Sequence, residues 1–448
     1  MRVNALNSMA GMVGPSGPSA GPSSMVDQIV DAESAPIASS KQRREQSVGK
    51  KSEFQNLGSL LTKLQSTADG MKMPSSFRKL LVESSHPDII AGTVSNTAEV
   101  GSYELEVAGL ARSDKQLAFG FPDKDQTSVG FGYMRVGVGG LAKDVVIDPG
   151  STLKDVAARI NEDVSGVRAS IINTGSKNDP FRLMVASIES GEEAVVEIDP
   201  DTTFTEFKNQ VKGQDLNVKF EGVDVKRPDN ALNDLIDGVN LKASKAAPGT
   251  NVTINVRHDV DKTADGVREF VKNFNEIQSF GRKQSQVDPA TGRAGQLSGD
   301  SSMSQVTRSL QSSMSGLPIS AAGLSTNPKT GELQLDENKL KEALTGDFDG
   351  IAKIFASSES GPGLAARMSD AIKSLQDRTS GAVATRMKGI DQRIKAQDQD
   401  IAHKEERMTQ RRAQLQKTFA SLDTKMATLN SQGQFLSGRM GSDGGGKA

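Results

Sequence analysis

The strongest pattern in the sequence is an apolar residue at every seventh position in the C-terminal part of the chain. These positions are Met387, Ile394, Ile401, Met408, Leu415, Leu422 and Leu429. At a rise of 1.5 Å per residue, the series corresponds to about 63 Å of α-helix. The neighbouring seam position is apolar only late, and earlier it holds Asp398, Glu405 and Arg412. The pattern predicts a long helix with one apolar stripe that needs a partner.

A shorter apolar stripe lies near the N-terminus. It consists of Phe54, Leu57, Leu61, Leu64, Ala68 and Met71, at alternating spacings of three and four residues. This seam of about two and a half heptads is too short for an isolated helix to be stable. We therefore expect residues 37–73 and 262–430 to pack together as a stalk. For the shorter stripe two alternatives stay open, namely burial within the chain and burial against other subunits. For Ile401 to Leu429, contact with other subunits is favoured.

The stretch "SSMVDQIVDAESAP" predicts a short helix before the stalk. Ser24 and Asp27 have the spacing of a capping box. The apolar face that follows consists of Val26, Ile29 and Val30. Pro36 disfavours a helical conformation for the residue before it, so we expect this helix to cover residues 25–34 only.

The middle of the chain, from about residue 79 to residue 260, has the period-two pattern of β-strands. "SYELEV", "FRLMV" and "NVTINV" each alternate apolar and polar residues. One helical phrase, "STLKDVAARINED", interrupts them. We expect a mainly antiparallel β region of two small domains, with the second inserted into the first. The fold class is then α+β, with a coiled-coil-like helical stalk from both chain ends and inserted β head domains.

This organisation divides the chain into seven segments. They are a terminal assembly segment (1–45), an N-terminal stalk helix (46–78), the first head domain in two parts (79–115 and 217–261), an inserted second head domain (116–216), a C-terminal stalk (262–400) and an assembly helix with a tail (401–448). The helical period returns after the β region, with Asp261 or Thr263 as the expected N-cap. Asp336 is expected to cap a later helix.

Composition excludes several classes of protein. Lys+Arg 54 against Asp+Glu 56 gives a net charge of −2, which does not favour nucleic acid or an anionic membrane as a partner. The absence of cysteine excludes disulfides, Cys–zinc sites and thiol catalysis. No stretch has the roughly 18 apolar residues of a membrane-spanning helix. The N-terminus lacks a signal-peptide apolar core, so we expect any export to proceed without a cleaved leader.

Candidate chemical motifs do not form a site. "GVGGLA" resembles a dinucleotide fingerprint but is followed by a strand, which favours a hairpin turn. "TGDFDG" resembles a calcium loop, but its first and twelfth positions are Thr345 and Ala356, so Asp347 is better explained as a helix-start residue. The three histidines, His86, His258 and His403, have no converging partners in sequence. We predict no enzyme activity, cofactor or metal site.

Charged residues on the long C-terminal helix carry both signs. This pattern and the lack of stacking aromatics argue against nucleic-acid binding. A solvated helix face with i,i+4 pairs, for example Asp391 with Lys395 and Asp400 with Lys404, accounts for them better.

Six segments, in order along the chain, resemble the flagellar hook-associated protein 2 family. They are "MVDQIVDAESAP", "GSYELEVAGLARSDKQLAF", "LNDLIDGVNLKASKAAPGTNVTINVRHD", "GQLSGDSSMSQV", "KTGELQLDENKLKEALTGDFDGIAKIF" and "LNSQGQFL". The family's usual opening phrase, Gly-Leu-x-Ser-Gly-Leu-Asp, is replaced here by "GPSGPSAGPSS". Residues 116–216 correspond to the family's variable part.

The resemblance implies a structural cap at the distal end of the bacterial flagellar filament. Such a cap retains exported flagellin, promotes its polymerisation, and is secreted by the flagellar export pathway without a cleaved signal peptide. The implied partners are further copies of the chain in a ring, often described as a pentamer, together with flagellin, other hook-associated proteins and an export chaperone. Alternatives are a surface adhesin with a glycan-binding head on a helical stalk, and another flagellar axial or junction protein.

The apolar stripes supply the expected contact residues. For self-assembly or filament contact these are Val26, Ile29, Val30, Phe54, Leu57, Leu61, Leu64, Ile394, Ile401, Met408, Leu415, Leu422 and Leu429.

Overall fold

The computed structural model describes residues 22–200, 206–286, 292 and 294–442, with side chains for 25–199, 206–286, 292 and 294–436. Its helices are α1 (Pro22–Asp69), α2 (Pro74–Phe77), α3 (Leu153–Asp163), α4 (Val260–Ser285), α5 (Ser301–Ser312), α6 (Glu337–Gly346), α7 (Phe348–Phe355), α8 (Leu364–Gln376) and α9 (Ala382–Ser442). A 3₁₀ turn covers Ile319–Ala322.

The strands form antiparallel sheets between the two long helices. They are β1 (Leu80–Ser84), β2 (Ile90–Val94), β3 (Gly101–Gly109), β4 (Lys115–Phe121), β5 (Gly132–Val138), β6 (Leu141–Ile147), β7 (Val167–Asn173), β8 (Phe181–Ser187), β9 (Val196–Pro200), β10 (Phe207–Val211), β11 (Leu216–Phe220), β12 (Val223–Arg227), β13 (Ala231–Ile236), β14 (Val239–Ala243), β15 (Val252–His258), β16 (Leu324–Thr326) and β17 (Leu333–Leu335).

Helices from both ends of the chain form the stalk. The C-terminal half of α1 packs with α4 to α8 and the start of α9 around one core, which includes Phe54, Phe270, Phe274 and Met368. The rest of α1 runs antiparallel along α9. This arrangement confirms the predicted α+β architecture, because the sheets lie between the two halves of a composite helical stalk.

Helix α1 continues through Pro36, so the predicted end of the first helix before this proline is wrong. A proline inside a helix removes one backbone hydrogen bond and costs about 3 kcal/mol. On both sides of the proline α1 stays paired with α9, through Asp27 and Arg412 before it and through Lys41 and Glu405 after it. The helix therefore also crosses the predicted segment boundary at residue 45.

The first head domain combines strands from before and after the inserted domain. Its five-stranded sheet has the order β1-β15-β3-β11-β12, and it shares a core with a three-stranded sheet, β13-β14-β2. The predicted alternation is confirmed on β15, where Val252, Ile254 and Val256 are buried. Strands β1 and β15 are neighbours, with Leu80 opposite His258. The chain therefore enters and leaves the head at the same place on the stalk.

The second head domain is inserted between β3 and β11. A four-stranded sheet, β10-β4-β8-β7, and a three-stranded sheet, β6-β5-β9, share a core with α3. Thr152 caps α3 as part of a capping box with Asp155, as expected where a polar loop meets an apolar helical face.

The buried carboxylate of Asp114 joins the segments at the root of this insertion. It is 0% exposed. Its oxygens accept hydrogen bonds from the backbone amides of Val196 (3.0 Å) and Gly213 (3.2 Å) and from the side chains of Asn209 (2.8 Å) and Gln116 (3.2 Å). One side chain therefore organises parts of the chain that are far apart in sequence.

The junction between head and stalk contains aromatic rings from both. The His258 ring at the end of β15 stacks on Phe348 of α7 with a centroid separation of 3.7 Å, and Phe77 of α2 stacks on Phe355 at 5.1 Å. The N-cap of α4 is Asp259, not the predicted Asp261 or Thr263. The cap comes earlier because α4 starts directly after the strand, where the Asp259 amide still donates to the Lys79 carbonyl at 2.7 Å.

Candidate assembly surface

The polar half of the α9 seam faces opposite charges on α1. Glu405 pairs with Lys41 at 2.8 Å and Asp398 with Arg44 at 2.5 Å, while Arg412 bonds to Asp27. These are exposed ion pairs, each worth about 0 to 1 kcal/mol. Their main effect is to fix the antiparallel register of the two helices.

Two further carboxylates of α9 test the predicted pairs within one helix. Asp400 bonds to Lys404 at 2.6 Å, which confirms that prediction. Lys404 and Asp400 both also contact the Ser40 hydroxyl of α1. Asp391 pairs with Lys51 of α1 at 2.7 Å, not with Lys395 as predicted. A partner on the neighbouring helix was not visible from spacing along a single helix.

The N-terminal stripe lies inside the chain. Phe54, Leu57, Leu61 and Leu64 are each 0% exposed and belong to the stalk core. The structure therefore supports burial within the chain for these four residues. Val26 is buried too, while Ile29 and Val30 are half-buried. Val30, Ile37 and Met408 line a groove of about 390 Å³ between α1 and α9.

Exposure of the C-terminal stripe increases toward the end of α9. Ile401 is 8% exposed, and Ile394, Met408 and Leu415 are half-buried. Leu422 is 53% exposed and Leu429 61%. The ion pairs between α1 and α9, from Lys51–Asp391 and Lys41–Glu405 to Asp27–Arg412, place the first described residue of α1, Pro22, near residues 417–424 of α9. About 18 to 25 residues of α9, or roughly 27 to 37 Å, extend past that point.

The seam of α9 becomes fully apolar where the described part of α1 begins. From Leu415 onward the apolar residues at spacings of four and three are Phe419, Leu422, Met426, Leu429 and Leu436, with Gly433 at one position. Met426 is 52% exposed and Leu436 60%. Leu436 was missed by the sequence analysis, although it continues the seven-residue series by one step. An exposed seam of this kind is typical of a helix that contacts another protein.

Residues considered for chemistry have structural roles. Gly139 and Gly140 adopt positive φ in the turn between β5 and β6, and Asp347 caps α7 by accepting from the Gly350 amide at 2.9 Å. Among the described residues, no cluster of His, Asp and Glu could hold a metal ion. None of the helices in the described part of the chain has the length and hydropathy that a membrane span requires.

His258 is partly buried at the junction of head and stalk. Its Nδ1 atom is buried and has no hydrogen-bond partner among the described residues. Burial lowers the pKa of His258 below its ordinary value, the nearby Arg78 guanidinium lowers it further, and Asp349 opposes this shift. The neutral ring is therefore favoured at the junction of head and stalk.

The start of α9 is held to the stalk core by Val383 and Ile390 and by a partly buried ion pair. Asp300 caps α5 and accepts from Arg386 Nε at 2.7 Å. Burial raises the pKa of Asp300, but the Ser302 amide and the Arg386 guanidinium lower it more, so the pKa lies below its usual value. This contact holds the root of the helix whose far end is exposed.

Comparisons with known proteins identify similar chains. The family described as "Flagellar hook-associated protein 2 C-terminus" matches residues 213–431, and "Flagellar hook-associated protein 2 N-terminus" matches residues 21–114. Residues 136–188 match the "Flagellin hook IN motif". The two terminal matches cover both parts of the composite stalk and the first head domain.

The matches to individual relatives cover most of each relative's length. The B-type flagellar hook-associated protein 2 of Pseudomonas aeruginosa is 26% identical over 362 residues, covering 71% of this chain and 74% of the relative. The flagellar hook-associated protein 2 of Escherichia coli K12 is 23% identical over 413 residues, covering 83% and 85%. The crystal structure of the D1-D2-D3 domains of the flagellar cap protein FliD from Escherichia coli is similar in fold, with a TM-score of 0.60 at 21% identity. It covers 76% of this chain and 99% of that one.

Proposed function

The chain belongs to the flagellar hook-associated protein 2 family, and we propose from this that it forms the structural cap at the distal end of a bacterial flagellar filament. There it retains exported flagellin and promotes flagellin polymerisation as the filament grows. The role is structural and requires no catalytic site or cofactor. The protein is secreted to the filament tip without a cleaved signal peptide.

The observation that carries the proposal is the exposed apolar seam at the end of α9. Leu422, Met426 and Leu429 are each more than half exposed on a helix whose root is held in the stalk core. Exposed apolar stripes of this length indicate contact with other proteins. In the proposed cap, this end of α9 contacts other copies of the chain or the filament end, while the half-buried Ile394, Met408 and Leu415 support it.

The partners follow from the proposed position at the tip. Further copies of the chain form a ring, for which five subunits is the expectation, and flagellin is the protein retained beneath it. Other hook-associated proteins and an export chaperone complete the set of partners. A ring requires a contact between two different surfaces of neighbouring subunits, repeated until the rotation closes.

Deletion of the gene tests the function directly. Cells that lack the protein should release flagellin into the medium and carry short filaments or none, as measured by immunoblotting of medium and cells and by electron microscopy. Normal filaments with no flagellin lost to the medium would refute the proposed cap function.

Complementation tests the α9 seam. Leu422→Asp/Leu429→Asp should be secreted and folded but should fail to retain flagellin, because two carboxylates would interrupt the apolar contact. The matched control is Thr424→Asp/Ser431→Asp, which adds the same charge to the other face of the same turns, where both hydroxyls bond to their own helix. If the seam variant retained flagellin as well as this control, the α9 end would not be an assembly surface.

A further inference from the structure

The outer face of the four-stranded sheet in the second head domain is basic and apolar. Strands β4, β7, β8 and β10 contain no Asp or Glu, but they contain Lys115, Arg168, Arg182 and Lys208. Leu183, Val185 and Ala169 point into the domain core, so the alternate residues point outward. The register then places Ala186 between Lys115 and Arg168, and Leu117 between Lys208 and Met184.

The cations of this basic face have no anionic partner among the described residues. None of the four forms an ion pair with any residue that the structure describes. Arg182 Nε is buried without a hydrogen-bond acceptor, and Lys208 Nζ lies 5.2 Å from the centre of the Phe119 ring, which is 44% exposed. An unpaired guanidinium next to apolar side chains favours a carboxylate-bearing protein surface as partner.

A second surface at the base of the same domain has the complementary chemistry. A groove of about 850 Å³ lies where the two head domains meet, and its acidic residues are Glu189, Glu192, Glu193 and Asp215. Leu141 and Ile188 also line it and are 82% and 66% exposed. Among the described residues, no lysine or arginine lines this acidic groove. Lys226 reaches Glu192 at 3.6 Å, and both side chains are well exposed.

We propose that the basic face of one copy docks against the acidic groove of a second copy. The contact buries the exposed apolar residues of both surfaces and gives the unpaired cations carboxylate partners, while opposite charges steer the encounter. A second copy fits better than an anionic polymer, because a polymer would neutralise the basic face but be repelled by the groove. Because the two surfaces differ, the contact is heterologous and generates a ring when the rotation closes. This inference rests on the proposed function and assigns the head a part in self-assembly.

The test is a charge exchange between two variants of the full chain. Arg168→Glu/Lys208→Glu reverses the basic face, and Glu192→Lys/Glu193→Lys reverses the acidic groove; all four side chains are exposed. Each variant alone should self-associate at least tenfold more weakly than the wild type, as measured by sedimentation equilibrium. An equimolar mixture should restore association, because the acidic face of one variant meets the basic groove of the other.

A control variant separates this contact from a general charge effect. Arg135→Glu/Lys143→Glu makes the same charge change on the three-stranded sheet and should associate as the wild type does. Wild-type association should weaken when salt is raised from about 50 mM to about 500 mM, because exposed charges are screened.

Three results would overturn the inference. These are a wild-type chain that stays monomeric at all concentrations, single variants that associate normally, and a mixture that fails to restore association. Salt-dependent binding of dextran sulfate by the wild type, together with a mixture that is not restored, would identify an anionic polymer as the occupant instead. The sedimentation assay contains no flagellin, so its failure leaves the cap function standing, whereas normal flagellin retention after gene deletion would refute the cap function itself.

Discussion

Replacement of Asp114 by alanine should selectively loosen the second head domain. The carboxylate is 0% exposed, and its loss leaves the amides of Val196 and Gly213 and the side chains of Asn209 and Gln116 without their acceptor. A hydrogen bond to a charged group contributes about 1.5 to 3 kcal/mol, and each buried donor left unpaired is costly. Because the four bonds share one side chain and are not additive, we expect a total loss of about 3 to 5 kcal/mol.

Hydrogen exchange followed by mass spectrometry can locate this loss. Peptides from β4 to β10 should lose protection, while peptides from α4 should exchange as in the wild type, because α4 lies in a separate core. Asp114→Asn is the matched control: it keeps the shape and one acceptor oxygen, so it should lose less than the alanine variant. Unchanged protection in β4 to β10 of Asp114→Ala, or an equal loss throughout the stalk, would refute the assignment of Asp114 as the joining residue.

Two further predictions concern the stalk and its junction with the head. The folded-state pKa of His258 is lowered, so the stability that its neutral ring contributes is present above about pH 6.5 and is lost as the pH falls toward the folded-state pKa. Hydrogen exchange of β15 and α7 should therefore speed up between pH 7.5 and 5.5 beyond the intrinsic effect of pH, and His258→Phe should abolish this extra change. A pH dependence that is the same in the variant as in the wild type would contradict the prediction. Pro36→Ala restores a helical hydrogen bond and should stabilise the first part of α1 by up to about 3 kcal/mol. Amide hydrogen exchange of residues 30–40 should then be slower than in the wild type. Faster amide exchange in the variant would show that the proline is required there.

The sequence was sufficient for features that depend on residues close together in the chain. The seven-residue series predicted α9, and Leu422 and Leu429 at its exposed end were among the predicted contact residues. Asp336 caps α6 as predicted, because a cap depends on the next three residues.

Features that depend on distant residues were not predicted. The partners of Asp398 and Glu405 lie more than 350 residues away on α1, so the polar half of the seam had no explanation in sequence. Pro36 was misinterpreted for the same reason, because α1 stays paired with α9 on both sides of the proline. The basic face required the register of four strands, and no single strand contains more than one of its cations.

The charges between α1 and α9 also distinguish helix registers that the apolar stripe alone does not distinguish. An apolar stripe that repeats every seven residues looks the same after a shift of one heptad, so it specifies that two helices pair but not where. In the observed register Lys41 meets Glu405, and Asp27 meets Arg412. A shift of one heptad in one direction brings Lys41 to Arg412, and in the other it brings Asp27 to Glu405, so either shift replaces an ion pair by a contact between like charges. Arg44 would still meet a carboxylate in both shifts, Glu405 in one and Asp391 in the other, so the preference comes from the remaining pairs. Ion pairs too weak to hold the helices together thus favour one alignment, and with it the length of α9 left exposed.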